Sequence, residues 1–140
     1  MIALFKNADG YFKYFIQKEI TMMISTISIA EYCVGGDVHE LPRKNLQIVP
    51  FNLDHAKRTG EFAKIVFQNK GKLKLNGRHI IPNDTKLFAQ ADIEKTVEFY
   101  LSSDSESSKI YRLIQSHTSP KFQFIDLNTP HNETFGILNF

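Results

Sequence analysis

Three acidic residues of this 140-residue chain stand where a carboxylate can do chemistry. Glu31 follows the apolar run "MMISTI", Asp84 follows "HII", and Asp104 follows "EFYL". Open α/β sheets form their sites beyond the carboxyl ends of strands, near helix starts. Brought together there, three carboxylates make an all-oxygen site without His or Cys, which suits Mg²⁺ or Mn²⁺ rather than Zn²⁺. Each acid also has a structural alternative. Ser28-x-x-Glu31 has capping-box spacing, with Glu31 bonding back to the Ser28 amide. Asp84 stands where an N-cap or first-turn acid stabilises a helix by about 1 kcal/mol. Asp104 and Glu106 can do the same for the next helix.

The elements that must position these acids are legible in the hydrophobic pattern. "ALFKNADGYFKYFIQKE" has broadly helical spacing, with Gly10 as a break between two short helices. "ITMMISTI" and "NLQIVPF" read as strands buried on both faces, the second ending at Pro50. Between them "SIAEYCVGG" reads as a helix opening at Ser28 and stopping at Gly35 and Gly36. "LDHAKRTGEFAKIVFQNKG" is the clearest helix, with Leu53, Ala56, Gly60, Ala63 and Phe67 on one face. A basic, Gly-containing connection leads to a helix from Asp84 and then a third strand in "TVEFYLSSD". "SESSKIYRLIQSH" is a helix with Ile110, Leu113 and Ile114 inward, and "KFQFIDL" is a fourth strand. The tail "NTPHNETFGILNF" has turn residues first and an apolar stretch fit to pair on a sheet edge. Strands alternating with helices predict an α/β fold, a three-layer α/β/α sandwich with a mostly parallel sheet.

Composition narrows the class. The length is most simply one domain, residues 1–140, burying roughly two thirds of its unfolded surface. A formal charge of +2 permits nucleic acid as a partner without demanding it. Cys33 is the single cysteine, which rules out an internal disulfide and favours a reducing, cytoplasmic home. It reads as a small buried hydrophobe rather than a nucleophile. No apolar run approaches the roughly 18 residues that span a bilayer, and the opening residues lack the order of a secretory signal. His39, His55, His79, His117 and His131 show no ligand spacing.

Taken in order, these segments resemble the PIN-domain family, the ribonuclease fold of VapC-type toxins. "ISTISIAEY" is similar to the family's strand-then-helix segment, with Glu31 at its acidic position. "NDTKLFAQA" is similar to the next motif, an Asp followed by an apolar helix with alanines five and seven residues on: Asp84, Ala89 and Ala91. "YLSSD" resembles the segment in which Ser or Thr precedes an Asp by two, here Ser102 and Asp104. Phe88 departs from the small residue usual at its position. The family also begins with a central strand ending in Asp-x-Asn. "IALFKN" is similar to the stretch just after that motif, so the resemblance places the chain's start beyond the first acid.

The resemblance implies a Mg²⁺- or Mn²⁺-dependent endoribonuclease of the toxin-antitoxin type, with Glu31, Asp84 and Asp104 as catalytic and metal-holding acids. Ser102 would hydrogen-bond an acid or a phosphate. Lys72 and Arg78, with Lys70 and Lys74, would contact the RNA backbone, where contacts give affinity without sequence choice; a solvated loop is the alternative. Arg112, two turns beyond Asp104, would flank the site with Tyr111, unless Tyr111 simply packs. An antitoxin protein and a homodimer are the expected partners, and no membrane. The absent first acid motivates an alternative from another class, a catalytically inactive PIN-like module that binds RNA or a protein. A third is an unrelated flavodoxin-like or receiver-like α/β domain.

Overall fold

The computed structural model describes residues 8–41, 45–70 and 81–136, with Ala8, Asp9 and Lys70 described by backbone alone. The chain is mixed α/β. Its elements are α1 (Ala8–Gln17), β1 (Met22–Ser25), α2 (Thr26–Tyr32), a 3-10 turn (Val38–Glu40), β2 (Leu46–Val49), α3 (Leu53–Lys70), α4 (Asn83–Ile93), β3 (Phe99–Ser102), α5 (Ser105–His117), β4 (Gln123–Asp126) and α6 (His131–Gly136). Where one sheet was expected, the described strands pair as two two-stranded sheets, β1 with β2 and β3 with β4. The chain divides into two compact units, residues 1–50 with 125–140, and residues 51–124. Among the described residues no helix is long and apolar enough to cross a membrane.

In the first unit, β1 and β2 run parallel, from Met22 opposite Leu46 to Ser25 opposite Val49. That last pair explains two departures from expectation. Pro50 follows Val49 and has no N–H to offer a ladder, so the run "ITMMISTI" stops being a strand at Ser25. Ser25 then caps α2, its Oγ accepting the Ile27 N–H at 3.1 Å. The helix therefore opens at Thr26, not Ser28, and the Ser28–Glu31 capping box is not formed. Neither strand is buried on both faces: β1 is half-buried throughout, and of β2 only Val49 is buried. Cys33, the C-cap of α2, is exposed rather than buried.

Helix α1 runs unbroken through Gly10. A Cβ there would stand 2.7 Å from Nδ1 of His131, so the glycine serves close approach rather than a break. Around it Tyr11, Phe15 and Phe135 form a buried aromatic core. The Tyr11 hydroxyl donates to the Thr129 carbonyl at 2.5 Å and pairs with Thr134 Oγ1 at 2.7 Å. The described part of the tail, read as an edge strand, is helix α6, whose Phe135 stacks on Tyr14 at 4.5 Å.

The second unit is built around Phe62, Val66, Phe88, Ala89, Ala91, Ile110, Tyr111, Ile114 and Phe122. Helix α3 turns His55, Thr59, Phe62, Ala63 and Val66 inward, while Leu53 is 71% exposed and Ala56 and Gly60 face solvent. The expected stripe is thus displaced, because two polar residues are buried with their hydrogen bonds satisfied. Thr59 Oγ1 donates to the His55 carbonyl at 2.7 Å, and both ring nitrogens of His55 are engaged. Helix α5 carries Ile110 and Ile114 inward as expected, with Leu113 at the core's margin.

Candidate functional site

The directions of three helices decide what the second unit brings together. His55, in the first turn of α3, bonds Glu94 at the end of α4 at 2.8 Å, and Arg58 Nε donates to Asp92 Oδ2 at 2.9 Å. Helices α3 and α4 are therefore antiparallel. The Lys121 amide, four residues beyond α5, donates to Asp92 Oδ1 at 2.8 Å, and Lys121 Nζ donates to the Glu94 carbonyl. So α4 and α5 end near each other. Midway along, Phe88 of α4 and Tyr111 of α5 meet with ring centroids 5.8 Å apart. The two helices, each about 16–20 Å long, run in the same direction. Their starts share the opposite end of the unit.

The strands lead to the same end. Gln123 N–H donates to the carbonyl of Glu98, the residue before β3, at 2.9 Å, so β3 and β4 begin side by side. Strand β3 leaves the Glu94 end and delivers Ser102 to the other, where Asp104 caps α5. Asp84 lies in the first turn of α4, half-buried, and Asp104 is the exposed N-cap of α5. The topology thus places Asp84, Ser102 and Asp104 beyond the carboxyl end of β3.

Local hydrogen bonds hold part of this set. Asp104 Oδ1 accepts the Glu106 N–H at 2.9 Å, which is the capping alternative realised. Ser102 Oγ accepts the Asp104 N–H at 3.1 Å, fixing the turn between strand and helix. That bond uses an acceptor lone pair and leaves the Ser102 proton to donate. Pro82 holds the N-cap position of α4 with no side-chain bond, and Asp84 takes the first-turn place of an acid at a helix start.

The other expected site residues divide into three groups. Glu31 belongs to the first unit, exposed in the last turn of α2 rather than at a helix start. Arg112 is exposed on α5, whereas Tyr111 is buried and donates to the Phe122 carbonyl at 2.9 Å. Burial pushes the Tyr111 phenol above its ordinary range, which suits packing rather than proton transfer. Lys72 and Arg78, with Lys74, fall outside the described residues.

Two residues that sequence reasoning passed over lie at the acidic end. Thr85 and Ser107 are buried in the first turns of α4 and α5. Their signal was a hydroxyl on an otherwise apolar stripe: Thr85 with Phe88 and Ala89, Ser107 with Ile110, Tyr111 and Ile114. Among the described residues no group of three or more His, Cys, Asp or Glu is gathered to hold a metal ion. The oxygen donors among the described residues of the second unit at this end include the carboxylates of Asp84, Asp104 and Glu106 and the hydroxyls of Ser102, Thr85 and Ser107. All are hard ligands, of the chemistry Mg²⁺ and Mn²⁺ select.

Compared with protein-family models, with curated proteins and with solved structures, the chain finds no match.

Proposed function

We propose that the chain is a PIN-like, Mg²⁺- or Mn²⁺-dependent endoribonuclease of the toxin-antitoxin type, a cytoplasmic protein with a three-layer α/β/α architecture. One observation carries this reading: α4 and α5 run in the same direction, so Asp84 and Asp104 share the end of the second unit beyond β3. In this reading Asp84 and Asp104 hold the metal. The bound ion supplies an activated water and a counter-charge for the phosphodiester oxygens. Ser102 donates its free proton to a carboxylate or a phosphate, while Arg112, Lys72 and Arg78 contact the RNA backbone.

The test is RNA cleavage by the purified chain with Mg²⁺. Asp84→Asn and Asp104→Asn are each expected to lower cleavage at least ten-fold, about 1.4 kcal/mol of barrier, and chelation to stop it. Equal cleavage by wild type and Asp84→Asn would end the nuclease reading. RNA held equally by both proteins, uncleaved and without need of metal, would instead mark a binding module.

A further inference from the structure

Buried polar atoms in folded proteins are paired, and exceptions call for an explanation. Thr85 and Ser107 are 0% and 1% exposed, and among the described residues neither Thr85 Oγ1 nor Ser107 Oγ has a hydrogen-bond partner. A helical hydroxyl ordinarily bonds the carbonyl four residues back. Thr59 does so in α3, bonding His55; Thr85 and Ser107 are in first turns, where the carbonyls four back, of Ile81 and Ser103, precede the helix. Val at 85 and Ala at 107 would fill nearly the same space without an unpaired oxygen.

Their placement is equivalent. Each opens the interior-facing stripe of its helix, one turn before the Phe88–Tyr111 ring contact at 5.8 Å. Both hydroxyls therefore stand at first-turn level, at the end that carries Asp84 and Asp104. Asp84, Asp104 and Glu106 make that end hostile to an anion. A hydrated divalent cation is compatible with it, because hydroxyls bond both to carboxylates and to metal-bound water.

We propose that Thr85 and Ser107 are positioning residues for a cation held by Asp84 and Asp104, bonding its water ligands or the carboxylates that bind it. This inference rests on the nuclease reading proposed above and adds two residues to it.

The experiment titrates Mn²⁺ alone, by calorimetry, into wild type, Thr85→Val, Ser107→Ala, the double variant and Asp84→Asn; each protein is also melted in EDTA. Wild type is expected to bind Mn²⁺ and Asp84→Asn to lose it. The double variant should bind about ten-fold more weakly, the usual effect of removing an outer-shell partner, yet melt in EDTA no lower than wild type. Thr85→Ser keeps the hydroxyl and should keep wild-type affinity. Unchanged affinity in the double variant, with binding lost in Asp84→Asn, overturns this inference and leaves the nuclease reading standing. Weaker binding with a lower melting temperature in EDTA marks the hydroxyls as structural and overturns it too. A wild type that binds no Mn²⁺ overturns both.

Discussion

Phe88→Ala is expected to destabilise the protein by about 3–5 kcal/mol, the range for truncating a fully buried Phe. Phe88 is 0% exposed, and its ring meets those of Tyr100 at 4.7 Å, Tyr111 at 5.8 Å, Phe122 at 5.9 Å and Phe124 at 6.2 Å. These partners come from β3, α5, β4 and the segment leading into β4. One side chain thus ties α4 to the elements that set its direction. Removing it leaves a void that four aromatic neighbours cannot fill without leaving their rotamers. Denaturant unfolding measures the loss, and Phe88→Leu should lose less. A Phe88→Ala cost under about 1 kcal/mol would mean the aromatic cluster is not formed as described.

His55→Ala is expected to cost about 2–4 kcal/mol through the other end of the second unit. The Asn52 N–H donates to His55 Nδ1 at 3.0 Å, while the His55 N–H donates to Asn52 Oδ1 at 3.0 Å. This is a reciprocal cap with His in the place of Glu or Gln. Because Nδ1 accepts, the ring proton sits on Nε2 and points at Glu94 Oε1, 2.8 Å away. Removing the imidazole costs the cap roughly 1 kcal/mol and the charge-assisted bond about 1.5–3 kcal/mol. The second figure is taken low, since Glu94 is 31% exposed. His55→Gln can reach back to the Asn52 amide and should recover about 1 kcal/mol relative to Ala. Denaturation midpoints for the three proteins give the comparison; equal stability of wild type and Ala would remove the cap from the account.

The features legible in advance are those that depend on short range. The strand-to-helix alternation, the α5 stripe and the capping place of Asp104 all arise from residues within two turns of one another. The features that could not be read depend on partners far along the chain. Strand β1 stops at Ser25, which caps α2 and stands opposite the residue before Pro50, and the choice of Ser25 over Ser28 depends on that distant neighbour. The α3 stripe was displaced because His55 and Thr59 look solvent-bound until their hydrogen bonds are known. The shared direction of α4 and α5 rests on Lys121 meeting Asp92 and Glu94, contacts 29 and 27 residues apart. That direction puts two acids far apart in the sequence at the same end of the unit. Thr85 and Ser107 escaped notice because a single hydroxyl on an apolar stripe is common and ordinarily bonds its own helix.

The central claim is that the starts of α4 and α5 share one divalent ion. It is tested most directly by titrating Mn²⁺ into isotope-labelled protein and monitoring paramagnetic broadening of the backbone amides. The expected result is that Thr85 and Lys86 broaden together with Ser105 and Glu106 at the lowest Mn²⁺, while Glu94 and Lys121 at the opposite end stay sharp. Broadening confined to Asp92, Glu94 and Lys121, or spread evenly over the protein, would contradict it.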